Sequence, residues 1–368
     1  MTLEKKLDSL TAPGTLYKKE ANKALRCFAC GHRCLIREGK RGICKVRFNE
    51  KGKLRVPWGY VAALQADPIE KKPFYHFLSG ENALSFGMLG CDLHCDYCQN
   101  WFTSQAMRDP ASDGAGRIVR EVSAAQLVEL AQQTDSRIIA STYNEPLITS
   151  EWAVDIFKKV KKAGLKTAMI SNGHATPEAL DYLHPHLDGY KIDLKSMQEK
   201  NYRQLGGVLQ NVLDSIIHAH KLGLWLEVVT LVVPGFNDSN AELWEAARFL
   251  AEISPNIPWH VTAYHRDYKR QSGENTAVDT LIRAADIGRE AGLNYVYAGN
   301  VHGLAGEYES THCSGCNKVL ITRQGFIIRD YNLTEEGTCP HCGMEVAGVW
   351  TDEPGNVKLN SFGMPRLI

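Results

Sequence analysis

The chain has 368 residues, 44% hydrophobic and 23% charged, which describes a soluble globular protein with a sizeable core. Lys+Arg and Asp+Glu balance at 42 each, so overall charge marks no nucleic-acid partner. The polar start after Met1 and the lack of a long apolar run argue against a signal peptide and a membrane span, so a cytoplasmic location is expected.

Residues 1–75 read as a basic, Cys-rich leading segment. Between Tyr17 and Arg55 thirteen Lys/Arg stand against three Glu, a patch suited to nucleic acid, to an acidic protein face or simply to solvent. Cys27, Cys30, Cys34 and Cys44 lie within it, and turn signals follow at Asn49–Gly52 and Pro57. Residues 76–305 alternate. Strands are predicted over Ala83–Leu89, Arg137–Tyr143, Lys166–Ser171, Gly189–Leu194, Leu224–Val233, Trp259–Tyr264 and Tyr295–Ala298. Helices are predicted over Ala124–Gln132, Ser150–Ala163, Pro177–Leu183, Val208–Leu222, Asn240–Ile253 and Asp279–Ala291, with stops at Gly164, Gly223 and Gly292. The stretch Arg108–Gly116 reads as a polar loop. This alternation predicts an α/β fold, a full or partial (βα) TIM-like barrel with functional residues at the strand C-terminal ends. Residues 306–368 form a tail carrying Cys313, Cys316, Cys339 and Cys342.

All eleven cysteines fall into three clusters, which in a cytoplasmic chain reads as metal ligation and not as disulfides. The middle cluster is Cys91, Cys95 and Cys98 in Gly-Cys-Asp-Leu-His-Cys-Asp-Tyr-Cys-Gln-Asn-Trp, directly after the first predicted strand. Three thiolates spaced C-x3-C-x2-C wrap three corners of a cubic iron–sulfur cluster and leave one iron open, whereas a structural zinc wants four ligands. His94 is placed between two of the cysteines, where a tight loop points it elsewhere. The tail pairs, two C-x2-C knuckles around a β-rich insert, describe a zinc ribbon. The leading four fit either structural zinc or an auxiliary iron–sulfur cluster, with His32 a weaker ligand.

The triplet after the first strand of a βα barrel resembles the radical S-adenosylmethionine (SAM) superfamily. That resemblance implies a 4Fe–4S cluster on Cys91, Cys95 and Cys98. It also implies chelation of SAM by the open iron, reductive cleavage to a 5′-deoxyadenosyl radical, and hydrogen abstraction from a substrate. It places Tyr97 near the adenine. Tyr143-Asn144-Glu145, ending the second strand, stands where the superfamily carries a Gly-Gly-Glu-type motif, so Glu145 is the expected partner of the SAM ammonium. Ser171-Asn172-Gly173 ends the third strand and suits a ribose or carboxylate site, or a plain turn. Asp193 and Lys195 share one side of the fourth strand end, either facing SAM and substrate as in glycyl-radical activases or forming a structural ion pair. The exit of the strand bearing Glu227, Val-Pro-Gly-Phe-Asn-Asp, is similar to the same activases. His265, after the sixth strand, contacts SAM or substrate or is structural.

Together with Cys-Phe-Ala-Cys-Gly-His-Arg-Cys, Thr-Tyr-Asn-Glu-Pro and the tail ribbon, these motifs resemble the AmmeMemoRadiSam-system radical SAM enzymes, close to the pyruvate formate-lyase activases. The resemblance implies a flavodoxin or ferredoxin electron donor and makes Ammecr-like and Memo-like proteins candidate partners. A protein or peptide substrate is expected. RNA modification, motivated by the basic segment, and a non-catalytic metal-bound scaffold are the alternatives.

Overall fold

The computed structural model describes residues 2–361 and the pair Arg366–Leu367. Of the expected tail, residues 362–365 and 368 lie outside the described residues. The core is one sheet of nine strands. Its parallel part comprises β1 (Asn82–Gly87), β2 (Ser136–Ser141), β3 (Lys166–Ser171), β4 (Gly189–Asp193), β5 (Trp225–Val232), β6 (Trp259–Ala263) and β7 (Val296–Gly299), each hydrogen-bonded to the next in sequence. The sheet is open. Beyond β1 runs the antiparallel edge strand Ala63–Pro68, extended in turn by Arg366–Leu367.

The strands are near-continuous buried runs, as sheets covered on both faces require. The covering helices include α1 (Ala124–Gln133), α2 (Ser150–Lys162), α3 (Pro177–Leu183), α4 (Glu199–Leu205), α5 (Leu209–Lys221), α6 (Asn240–Ile253) and α7 (Val278–Glu290). Local chemistry sets their bounds. Ser123 and Gln126 close a capping box on α1, and the Ser239 hydroxyl accepts from Glu242 N at the start of α6. On α2, Trp152, Ile156, Phe157 and Val160 bury one face, while Lys159, Lys161 and Lys162 fill the last turn, where cations suit the helix dipole.

Three regions depart from the expectation. Arg108–Gly116 is not a loop throughout: Pro110–Arg117 winds into 3-10 turns because the Asp109 carboxylate accepts from Ala111 N and a proline occupies the first position. Residues 63–68, assigned to the leading segment, belong to the core sheet. Helix α4 has no counterpart in the predicted elements.

The leading segment folds as small antiparallel sheets and docks through a buried ion pair. Arg47, 1% exposed, donates from Nη1 to Glu151 Oε2 at 2.6 Å and from Nη2 to Oε1 at 2.7 Å. Glu151 also accepts from Thr15 N and Leu16 N, so one carboxylate at the start of α2 binds two parts of the segment. The tail forms a three-stranded sheet over Thr311–His312, Val319–Gln324 and Ile327–Tyr331. It is not a free appendage. Its buried Arg323 donates to Tyr75 O at 2.9 Å and Thr311 Oγ1 at 2.7 Å, with the guanidinium 4.3 Å over the Tyr75 ring. Tyr297 of β7 joins the same contact through Thr311 Oγ1 at 2.9 Å. Among the described residues no helix is long and apolar enough to cross a membrane.

Removing one partner of a buried, hydrogen-bonded ion pair leaves the other charge without compensation. Arg47→Leu is therefore expected to cost about 3–5 kcal/mol in urea unfolding, and Arg47→Leu with Glu151→Leu less than either single change. A loss below about 1 kcal/mol for Arg47→Leu would show that the pair does not anchor the segment.

Candidate functional site

The parallel order places the loops after β1, β2, β3, β4 and β6 at one end of the sheet, and the core residues singled out by the motifs, Glu227 excepted, lie on these loops or strand ends. The loop after β1 carries the triplet. It leaves the strand through Gly90, whose φ of +98° is a conformation that favours glycine. Cys91, Cys95 and Cys98 gather in an apolar shell of Leu93, Leu205, Val233 and Tyr264. Leu93 N donates to Cys91 Sγ at 3.4 Å, and Cys98 Sγ lies 3.3 Å from Ser104 Oγ. Burial pushes the Cys91 thiol well above its ordinary pKa and the Cys95 thiol up to about 12. Thiols held in this shell, Cys95 buried and Cys91 and Cys98 half-buried, become thiolates when a positively charged group lies among them, which a metal cluster would supply. A donor set of three thiols in an apolar shell fits a multi-iron cluster with one open iron. His94 is exposed, its ring against Gly206, where a Cβ would approach to 2.1 Å.

The other predicted residues converge on this loop through a buried polar network. Glu145, 2% exposed, accepts from Ser171 Oγ at 2.7 Å, Asn172 N at 2.8 Å and Leu147 N at 3.0 Å. Asn172 Nδ2 donates to Asp92 Oδ1 at 2.8 Å and lies 3.9 Å from Cys91 Sγ. The turn that aims Asn172 needs Gly173. Its φ is +71°, and a Cβ there would come within 2.4 Å of Ile192. Burial, followed by the charge of Asp92, raises the Glu145 pKa to about 8. Among the described residues the carboxylate has no cationic partner, which an ammonium on a ligand would supply. Asn144 and Tyr143 serve the scaffold. Asn144 Oδ1 accepts from Met88 N at 2.9 Å, and the Tyr143 hydroxyl meets Gln65 Oε1 at 3.1 Å and Lys72 Nζ at 2.9 Å.

Asp193 and Lys195 do share one side, 3.3 Å apart, and Lys191 joins them on Asp193. Burial opposes the Lys195 charge, but Asp193 and then Cys95 outweigh it and raise its pKa well above the lysine value. The pair is thus an ion pair and a neighbour of the triplet at once. Tyr97 is buried, edge-on to Phe236 and Tyr264, with the Arg270 guanidinium 5.3 Å from its ring centre. His265 is exposed at the rim, where its Nε2 meets the side chain of Gln99 beside Cys98; it shares no hydrogen bond with the Glu145 network. Glu227 lies low on β5, where it accepts from Tyr75 N, His76 N and His260 Nε2 and fastens the tail side of the sheet.

Sequence reasoning missed Asp92, His174 and Lys191. Asp92 accepts from His174 Nδ1 at 2.9 Å, both fully buried. Only its place inside the cysteine motif could have marked it. Lys191 was legible from alternation, two residues before Asp193 on the same face. In the tail, Cys313 and Cys342 Sγ atoms are 3.5 Å apart and Cys316 and Cys339 3.7 Å, with all four ligand atoms within 4.8 Å.

A family model described as "Radical SAM superfamily" matches residues 87–250. The chain is 35% identical over 333 residues to the uncharacterized protein MJ0808 of Methanocaldococcus jannaschii, covering 90% of this chain and 97% of that protein. It is 25% identical over 260 residues to the GTP 3',8-cyclase of Limosilactobacillus fermentum, covering 64% and 75%. It is 26% identical over 171 residues to the pyruvate formate-lyase-activating enzyme of Clostridium pasteurianum, covering 46% and 67%. The matched span holds the triplet, Glu145 and Asp193, and by these matches the chain belongs to the radical SAM superfamily, near its pyruvate formate-lyase-activating branch.

Proposed function

We propose that this enzyme holds a 4Fe–4S cluster on Cys91, Cys95 and Cys98, seats SAM with Glu145, Ser171 and Asn172, and removes a hydrogen atom from a protein or peptide. The observation that carries the proposal is the buried network running from Cys91 through Asn172 to Glu145 and Ser171. A cluster bound there supplies one electron at an open iron, enough to split the SAM sulfonium into methionine and a 5′-deoxyadenosyl radical. Glu145 receives the SAM ammonium, held in place by two backbone N–H groups and the Ser171 hydroxyl. Asp193 and Lys195, next to Cys95, hold the side of the site toward the substrate. Tyr97 and the apolar shell keep water from the reacting carbon. His265 stands at the mouth, where substrate enters.

The protein or peptide reading rests on the likeness to an activating enzyme, as its name describes that relative. Ammecr-like and Memo-like proteins are the partners we propose, with a flavodoxin or ferredoxin as electron donor in a cytoplasmic setting. We assign the tail cysteines to structural zinc. Zn–S bonds of about 2.3 Å place tetrahedral sulfurs about 3.8 Å apart, and the tail pairs lie at 3.5 and 3.7 Å.

Anaerobically reconstituted protein with dithionite and SAM is expected to release 5′-deoxyadenosine, and Cys95→Ala to release none above background. Equal trace amounts from both would overturn the reading. Glu145→Gln is expected to weaken SAM binding about 10- to 100-fold, the loss of one charged hydrogen bond, measured by calorimetry on the reconstituted protein. Cys316→Ser is expected to lose one zinc per chain by metal analysis and to lower the melting temperature. Unchanged zinc content would remove the ribbon assignment. RNA binding that falls steeply with added salt would favour an RNA substrate instead.

A further inference from the structure

The buried carboxylate of Asp92 has no part in the chemistry above, yet it lies 3.8 Å from Cys91 Sγ. Asn172 Nδ2 donates to its Oδ1 at 2.8 Å and His174 Nδ1 to its Oδ2 at 2.9 Å. A donor on each oxygen suits the ionised group, which only accepts.

Whether this charge is neutralised turns on His174, and the hydrogen bonds around the ring decide it. Asn211 Nδ2 donates to Gly31 O at 3.3 Å. A carbonyl only accepts, so this contact fixes which way the Asn211 amide points. The same Nδ2 lies 3.0 Å from His174 Nε2. That ring nitrogen therefore accepts, the proton sits on Nδ1, and the imidazole is neutral. Among the described residues the carboxylate has no ion pair with Lys or Arg, His174 being its only such contact. Arg108 is close, but it donates to the Leu93 and Cys91 carbonyls, at 2.7 and 3.1 Å. His32 meets the Asp92 backbone carbonyl, at 3.3 Å. The contrast within the site is plain: Asp193, near Cys95, is paired with both Lys191 and Lys195. Asp92 is satisfied by hydrogen bonds but not neutralised.

A charge acts over a longer reach and with more force in a buried site than in water. An electron taken up by a cluster on Cys91 arrives beside this anion, and the net charge around a cluster is one of the protein's levers on its potential. Leu93 N, donating to Cys91 Sγ at 3.4 Å, pulls the other way, but it is one dipole against a full charge. Burying an unpaired charge is costly. Joining the loop after β1 to the loop after β3 does not by itself require one, since neutral polar groups can make such a link.

We propose that Asp92 is a positioning residue that sets the reduction potential of the cluster on Cys91, Cys95 and Cys98, its unneutralised carboxylate lowering that potential so that the electron leaves more readily toward SAM. This rests on the proposed function. Asp92 itself gains and loses neither electron nor proton.

The test is a redox titration of the full chain, reconstituted anaerobically with ferrous iron and sulfide and followed by low-temperature paramagnetic resonance. The signal to follow is the one that Cys95→Ala loses. Asp92→Asn is expected to make one-electron reduction at least tenfold more favourable, a rise of about 59 mV or more. Asp92→Ser removes the charge without adding an amide and is expected to move the potential the same way, so the result does not hang on one variant folding. His174→Gln takes the Nδ1 donor out of the same hydrogen bond and keeps the Asp92 carboxylate; it is expected not to raise the potential. Equal rises in Asp92→Asn and His174→Gln would mark the network as merely structural and overturn the proposal. An unchanged potential in Asp92→Asn and Asp92→Ser would overturn it too. Wild-type protein whose signal survives Cys95→Ala would instead sink the cluster assignment, so the two readings fail separately.

Discussion

The site depends on one buried negative charge. Asp92 has no exposed surface, and burial opposes its ionisation, but hydrogen bonds from His174 and Asn172 outweigh burial and hold its pKa below the ordinary value. The same bonds tie the loop after β1 to the loop after β3, and His174 in turn anchors Gly31 of the leading segment. A charge satisfied wholly by the protein then acts on its neighbour. Glu145 sits in the same network with no cation of its own among the described residues, so Asp92 adds to the penalty of burial there. Two carboxylates a few bonds apart are thus prepared for different work: one is internally compensated and rigid, the other short of a positive charge.

Much of this was legible in the chain. The strands are short apolar runs, several of them rich in Val, Ile or Thr, and the parallel pattern followed from their regular alternation with helices. Glu145, Ser171 and Asn172 were legible because each ends a strand in register with the triplet. Residues 63–68 escaped because an antiparallel strand before the first βα unit carries no alternation signal of its own, and α4 because Glu199–Leu205 is short and polar between two loops. His265 stood on a strand exit, but the loop that follows carries its ring outward. Asp92 and His174 were hidden for a different reason. Their meaning is a contact between residues 82 positions apart, which no local pattern encodes.

The three cysteine groups differ in what surrounds them more than in their sequence spacing. The tail sulfurs are drawn together, and Cys342 is open to solvent. The triplet lies in an apolar shell, and the leading four line a cavity with Ile36, Ile43 and Arg47, Cys30 alone reaching Asp92. Spacing alone left the leading group open between zinc and an iron–sulfur cluster.

Strand order has a consequence for how the molecule comes to exist. Each parallel strand pairs with the one made just before it, so on a ribosome the sheet can grow one βα unit at a time as the chain emerges. The Arg323–Tyr75 bond, between residues 248 positions apart, waits for nearly the whole chain. Until then Tyr75 and Tyr297, buried against the tail in the finished fold, stay open, and a nascent chain stalled before the tail would show this apolar surface to its neighbours.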